Sequence, residues 1–208
     1  MNRQKRTPIT LKKAVGHFKT ITGHKLLVAQ GCFRVGLYRQ GLLHDLSKYH
    51  PVEFLVGARY YQGNCSPNNA ERDETGCSEA WMHHKGRNRH HYEYWYDYPE
   101  HPGDINPDLN PSRTVPVKMP GRYVVEMLMD RIAASKIYRK QDYTDQDPIA
   151  YYLRGNTRKM MHPETADLLE KLLNMLAEKG EEETFAYVRR HLIKGHFVSG
   201  KKVGHTVR

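Results

Sequence analysis

The sequence predicts an all-α fold built as one domain. Apolar residues recur three and four positions apart in several segments, which is typical of one buried face of a helix. The best example is the set Val124, Val125, Leu128, Met129 and Ile132. Pro51 and Pro163 each stand at the start of such a segment, where the missing N–H of proline costs nothing. We find no convincing pair of strands to set beside these helical patterns.

The N-terminal third predicts three helices followed by a loop. The first runs from Thr10 to about Arg39, where only scattered glycines interrupt the pattern. A second, short helix is expected over Leu42 to Lys48, and Pro51 opens the third. The segment from Gly63 to Gly76 is rich in turn-forming residues and is predicted to be a loop.

The middle of the chain predicts two helices separated by a long connection. Ser78 precedes a helical segment that reaches about Trp95. Six prolines between Pro99 and Pro120 then make regular structure unfavourable. A loop of this length inside a compact domain is often functional, so it is a candidate wall of an active site. A strong helix from Tyr123 to about Lys140 follows.

The C-terminal part predicts a helical hairpin. One helix begins near Pro163, the chain breaks at Gly180, and a last helix ends near Ile193. We therefore expect one domain over residues 1–193, followed by a basic tail over residues 194–208 that we expect to be flexible.

Composition narrows the class of protein. Hydrophobic residues make up 38% of the chain, its mean hydropathy is -0.78, and no segment approaches the roughly 20 apolar residues of a membrane helix. The basic start of the chain is not followed by the apolar segment of a signal peptide. Three cysteines without CxxC spacing favour reduced thiols. The sequence thus predicts a cytoplasmic protein with no membrane partner, and it leaves the oligomeric state open.

The charge favours an anionic partner. Lysine and arginine number 33 against 23 acidic residues, a net charge of +10. Such a balance suits either a small phosphorylated compound or nucleic acid, and charge alone does not choose between them.

A histidine-rich segment follows Trp81. It contains two histidine pairs, His83-His84 and His90-His91. On a continuous helix one face would carry Trp81, His84, Asn88, His91 and Trp95. This register predicts that His84 and His91 face inward as metal ligands and that His83 and His90 face solvent. The alternative interpretation is a polar helix whose histidines are all solvated.

Four further residues could complete a metal site. His44 and Asp45 are adjacent and flanked by leucines, and His24 lies 20 residues earlier. Asp130 lies among apolar residues of a later helix, where an unpaired carboxylate would be costly. With Glu126 one turn earlier, Asp130 could instead belong to an ordinary surface stripe.

The ordered set of His24, His44-Asp45, a histidine cluster and Asp130 resembles the HD-domain superfamily of metal-dependent phosphohydrolases. The segments HDLSKYHPVEF, AWMHHKGRNRHH and EMLMD also resemble a small uncharacterised family of HD-like proteins. The likeness covers roughly residues 15–140 and implies an HD-like helical bundle. The positions that it makes metal ligands are His24, His44, Asp45, His84, His91 and Asp130.

The resemblance implies hydrolysis of a phosphate ester, which could be a nucleotide, by a metal-activated water. One or two divalent ions are expected, from Mn, Fe, Co, Ni, Zn or Mg. Asp45 and Lys48 would act in catalysis, and Lys48, Arg87, Asn88 or Arg89 would hold the substrate.

Two alternatives remain open from the sequence. An HD-like di-iron oxygenase could use the same ligands. A nucleic-acid-binding protein could hold a structural metal and stack bases on aromatic residues such as Trp95.

Overall fold

The computed structural model describes residues 7–99 and 114–193. The predicted all-α fold is confirmed, because α-helices account for nearly all regular structure in these two ranges. The helices are α1 (Leu11–Val35), α2 (Tyr38–Leu43), α3 (Pro51–Arg59), α4 (Pro67–Thr75), α5 (Glu79–Lys85), α6 (Gly121–Arg139), α7 (Asp147–Gly155) and α8 (Pro163–Val188).

Local signals set several helix ends. The Thr10 side chain accepts a hydrogen bond from the backbone N–H of Lys13 and so caps α1. Gly36 adopts a left-handed conformation, with φ 89°, and ends α1 at Val35, about four residues earlier than predicted. Ser78 caps α5 by accepting from the N–H of Trp81, and Pro51 and Pro163 start their helices as predicted.

The hydrophobic core lies between α1, α6 and α8. Val28 and Cys32 of α1, Leu128 of α6 and Leu172 of α8 are all completely buried. Burial of a leucine or valine side chain stabilises a fold by about 1.5–3 kcal/mol. This packing holds α1 against α6, the two helices that carry His24 and Asp130.

The predicted break at Gly180 is confirmed, with φ 78° and ψ 176° inside α8. The chain turns back there. A contact across the turn shows this, since Nζ of Lys171 donates to the hydroxyl of Tyr187 at 2.7 Å. In a straight helix the backbones of two residues this far apart would be separated by about 24 Å. A five-residue π-helix, Arg189–Ile193, follows.

Two predicted segments are wrong. The expected helix over Leu42 to Lys48 is broken, because Asp45 has a left-handed φ of 54° between α2 and a 3-10 helix at Leu46–Tyr49. The expected loop over Gly63 to Gly76 contains α4. Pro67 at its first turn and Gly76 at its left-handed end define this helix.

The helix expected from Ser78 to Trp95 is also much shorter than predicted. Gly86 ends α5, and Nδ2 of Asn88 donates to the carbonyl oxygen of His84, which satisfies an acceptor of the last turn. Beyond it, the short strands β1 (Tyr96–Asp97) and β2 (Val115–Pro116) pair antiparallel.

Two predictions lie outside the described residues. They are the middle of the proline-rich connection, residues 100–113, and the basic tail, residues 194–208. Within the described ranges, none of the helices combines the length and apolar character that crossing a membrane requires.

Candidate metal centre

Three separate parts of the fold bring a first group of histidines and carboxylates together. His24 projects from the middle of α1, and Asp130 projects from α6, which packs against α1. His44 and Asp45 lie at the break after α2, not on a helix. The left-handed backbone conformation at Asp45 changes the direction of the chain, so that the side chains of His44 and Asp45 both reach the same buried volume.

The first group of side chains has the spacing of ligands around one ion. Nε2 of His24 lies 2.9 Å from Oδ1 of Asp130 and 3.4 Å from Nε2 of His44. Nε2 of His44 lies 3.3 Å from Oδ2 of Asp45 and 3.5 Å from Oδ1 of Asp130. Two ligands held about 2.0–2.2 Å from one ion are about 3–3.6 Å apart at octahedral or tetrahedral angles. These four atoms therefore could hold one divalent cation.

The second group lies on the other side of Asp45. Nε2 of His84 is 2.9 Å from Nε2 of His91 and 3.3 Å from Oδ1 of Asp45. Nε2 of His90 is 3.4 Å from the same oxygen. Asp45, His84, His90 and His91 thus form a second set of potential ligands.

Asp45 links the two groups. Its Oδ2 faces His24 and His44, whereas its Oδ1 faces His84 and His90. The side chain is 1% exposed, and among the described residues neither oxygen accepts a hydrogen bond of acceptable geometry, although Nζ of Lys48 lies 2.6 Å from Oδ2 as an ion-pair partner. Within residues 7–99 and 114–193, Nε2 of the buried His90 also has no hydrogen-bond partner. Buried polar atoms without partners are rare, and here the unpartnered atoms are metal-ligand types that face each other.

Glu126 supports one histidine from each group. Its Oε1 accepts from Nδ1 of His44 at 3.0 Å and lies 3.2 Å from Nδ1 of His90. Donation from Nδ1 leaves Nε2 of each ring free for the cluster. Metal-binding histidines commonly have such a carboxylate behind them, which fixes the tautomer and the ring orientation.

Glu53 has the same relation to His84. Its Oε2 accepts from Nδ1 of His84 at 2.8 Å, while its other oxygen accepts from Nδ1 of His83 at 2.6 Å. Asn88 donates to Oγ of Ser47 at 2.8 Å, close to the same ring. His83 and Asn88 therefore contact the support of His84 and do not belong to either ligand group.

Burial and charge act against each other in this centre. Burial raises the pKa of Asp45, but the charges of His44, Lys48 and His84 hold it well below its usual range. Burial likewise raises the pKa of Asp130, and hydrogen bonds from His24 and His44 lower it well below the usual value. Both carboxylates are ionised at neutral pH, as metal binding requires.

The histidines divide into two kinds. Burial lowers the pKa of His24 and, with the nearby His90 and His84, that of His91. Burial also acts to lower the pKa of His44, but the carboxylate of Asp45 and further acidic contacts raise it well above the usual value. His24 and His91 are thus neutral near pH 7, the form of imidazole that binds metal.

A cavity of about 610 Å³ opens onto the centre. Among its lining residues are Lys48 and four residues of the ligand groups, His24, His84, His91 and Asp130. Nζ of Lys48 lies 2.6 Å from Oδ2 of Asp45, at the boundary between the centre and the cavity. A small molecule in this cavity would therefore reach both.

Three residues that were predicted to bind the substrate do not line the cavity. Arg87 is exposed and donates to the carbonyl oxygen of His83. Asn88 is buried behind His84, and the exposed Arg89 lies near Tyr94 and Tyr123. None of the three is among the described residues that line the cavity.

Sequence reasoning misplaced His90 and missed both supporting carboxylates. His90 was expected to face solvent, but it is 1% exposed and faces Asp45, because the chain leaves the helix after Gly86. Glu126 could have been recognised, since it lies four residues before Asp130 and so shares its helix face. No local signal identifies Glu53, whose role depends on packing between α3 and α5.

Comparison with known proteins gives a family without an assigned activity. No curated protein and no solved structure matches the chain significantly. A family model described as "Family of unknown function (DUF5662)" matches residues 13–175, a range that includes every residue of the candidate centre. The chain therefore belongs to this family of unknown function.

Proposed function

We propose that this protein is a metal-dependent phosphohydrolase of the HD type, in which His24, His44, Asp45 and Asp130 would hold one divalent cation and Asp45, His84, His90 and His91 would hold a second. The observation that carries the proposal is the division of the Asp45 carboxylate between two ligand groups. Each oxygen faces imidazole nitrogens of a different group at 3.3–3.6 Å. Carboxylate-bridged pairs of cations are a common arrangement in enzymes that cleave phosphate esters.

The donor set favours transition metals. Five imidazoles and two carboxylates converge on the centre, in the groups His24, His44, Asp45, Asp130 and Asp45, His84, His90, His91. Imidazole suits Zn, Fe, Ni and similar ions, whereas Mg prefers oxygen ligands and water. We therefore expect Mn, Fe, Co, Ni or Zn in preference to Mg.

Residues of the chain would bind the substrate and orient the metal ligands. A divalent cation at this position would lower the pKa of a coordinated water toward about 7 and offset the negative charge of a phosphoryl group. Lys48 reaches the centre from the cavity wall and would bind a phosphate oxygen there. Glu126 and Glu53 would hold the histidine rings in place while the substrate binds.

The experiment is metal analysis of tag-free protein together with hydrolysis of a panel of phosphomonoesters and nucleotides. Wild-type protein should contain about one to two equivalents of metal, and Asp45→Asn should lose both the metal and the activity. Asp73→Asn is the matched control, because Asp73 is exposed on α4 and belongs to neither ligand group. Folded wild-type protein that binds no metal would overturn the proposal.

A second candidate is a di-iron oxygenase on the same scaffold. The nitrogen-rich donor set favours it, because imidazole and carboxylate ligands together suit iron. This alternative would be favoured over the hydrolase by three results together. They are tightly bound iron, oxygen consumption and no phosphatase activity with any added divalent metal.

A further inference from the structure

The same cavity has a second wall, formed by residues outside the metal centre. This wall, which we name the distal wall, consists of Glu93, Arg131, Tyr152 and Thr157. Glu93 follows the histidine segment, Arg131 comes from α6, Tyr152 comes from α7, and Thr157 starts the next 3-10 helix. None of them belongs to a candidate ligand group.

Three polar atoms of the distal wall are buried and have no hydrogen-bond partner among the residues that the structure describes. They are Oε2 of Glu93, Nε of Arg131 and Oγ1 of Thr157. A buried polar group without a partner costs about 1–3 kcal/mol, so such groups are rare in folded proteins. Three of them beside one cavity indicate a place where a bound molecule supplies the missing partners.

The wall is held in place by its neighbours. The guanidinium of Arg131 lies 5.4 Å from the centre of the Tyr152 ring, and the Tyr152 hydroxyl donates to Glu170 at 2.8 Å. Arg131 and Glu93 are close enough for their charges to interact. Within residues 7–99 and 114–193, neither forms a salt bridge. Oε2 of Glu93 and Nε of Arg131 therefore remain free to bind a ligand.

The chemistry of the wall restricts what it can bind. An ionised carboxylate only accepts hydrogen bonds, a guanidinium only donates them, and a hydroxyl does both. A group placed between Glu93 and Arg131 must therefore donate and accept at neighbouring atoms.

We propose that the distal wall recognises the polyhydroxylated organic part of the substrate while the metal centre binds its phosphate. Neighbouring hydroxyl groups donate to Glu93 and accept from Arg131, which alkyl or aryl chains cannot do. This inference rests on the proposed function and adds the substrate class, namely sugar phosphates and related hydroxylated phosphomonoesters.

The test compares matched pairs of ligands on manganese-loaded protein by isothermal titration calorimetry. The pairs are glucose 6-phosphate with hexyl phosphate and ribose 5-phosphate with pentyl phosphate, which differ in their hydroxyl groups and ring. Wild-type protein should bind at least one sugar phosphate roughly 10–100-fold more tightly than its alkyl counterpart, because hydrogen bonds to charged groups contribute at this scale.

Two variants should remove this preference. Arg131→Met and the nearly isosteric Glu93→Gln should reduce the ratio of affinities toward one, with metal content unchanged. Arg122→Met should keep the wild-type ratio, because Arg122 lies on the same helix over Tyr123 and does not line the cavity. Metal content and thermal unfolding of each variant show whether the fold is retained.

Two outcomes would overturn the inference. One is equal affinity of wild-type protein for both members of every pair. The other is tight binding of guanosine monophosphate, but of none of the sugar phosphates, that Arg131→Met weakens. This result would mean that the distal wall binds the cyclic amide of a nucleobase. Hydrolysis measured on the same esters separates the two proposals. If the protein binds sugar phosphates selectively but does not hydrolyse them, the inference about the distal wall stands and the proposed phosphohydrolase activity is rejected. If it hydrolyses sugar and alkyl phosphates without preference, the phosphohydrolase activity stands and the inference about the distal wall is rejected.

Discussion

Oε1 of Glu126 accepts a hydrogen bond from Nδ1 of His44 at 3.0 Å, on the side of the ring away from Asp45. The same oxygen lies 3.2 Å from Nδ1 of His90. One buried carboxylate therefore orients one histidine from each candidate ligand group. The two groups are linked twice, through Asp45 at their centre and through Glu126 behind them.

Replacement of Glu126 should weaken metal binding at both positions. Glu126→Ala should lower the affinity about 10–100-fold, the usual effect of losing such a supporting carboxylate. Glu126→Gln should have a smaller effect, because its amide oxygen can still accept from one ring. Metal titration measures this, and Glu164→Gln is the control, since Glu164 pairs with Lys118 at the surface. Unchanged affinity in Glu126→Ala would contradict the orienting role.

Replacement of Asp45 should remove more metal from the protein than replacement of Asp130. Asp45→Asn should remove most of the metal, because both ligand groups include that carboxylate. Asp130→Asn should remove about one equivalent of two, because Asp130 belongs to one group only. Elemental analysis of dialysed protein measures the stoichiometry. Equal losses in the two variants would mean that Asp45 does not bridge two ions.

The histidine segment gives a test of the backbone path after Gly86. His84→Ala, His90→Ala and His91→Ala should each weaken metal binding more than His83→Ala, which removes only a partner of Glu53. A continuous helix would instead group His90 with His83. Metal affinities of the four variants, measured side by side, distinguish these arrangements.

Lys48 should separate metal binding from activity. Lys48→Ala should retain the full metal content, because lysine is not a ligand and its positive charge opposes a nearby cation. Its activity on a phosphomonoester should fall roughly 10–100-fold, since a charge-assisted contact contributes about 1.5–3 kcal/mol. Lys19→Ala, at an exposed position outside the cavity, is the control. Loss of metal in Lys48→Ala would instead give the lysine a structural role.

Metal removal should destabilise the protein. An ion present at about a hundred times its dissociation constant stabilises the folded state by about 2.7 kcal/mol. For a chain of this size, that free energy corresponds to a rise in Tm of roughly 5–10 °C. Calorimetry before and after treatment with a chelator measures the shift. The same treatment should leave the Tm of Asp45→Asn almost unchanged, and an equal shift there would indicate a different site.

The helices were predictable where their signals are local. The apolar spacing of α6, the proline and glycine punctuation of α8 and the Ser78 cap each depend on residues within a few positions of one another. The broken helix at Asp45 was not predictable, because a left-handed aspartate costs free energy locally and is kept only by its tertiary contacts.

The sequence by itself determined the helical class and most of the residues that meet in the centre, because helix periodicity and the ligand chemistry of histidine and aspartate are properties of residue type and spacing. Only the tertiary structure decided that His90 faces Asp45, that Glu126 and Glu53 lie behind the rings, and that Arg87 lies away from the cavity. Each of these depends on where the backbone leaves a helix and on distances between segments far apart in the chain. The local sequence does not fix those distances, and the packing of α1, α3, α5 and α6 does.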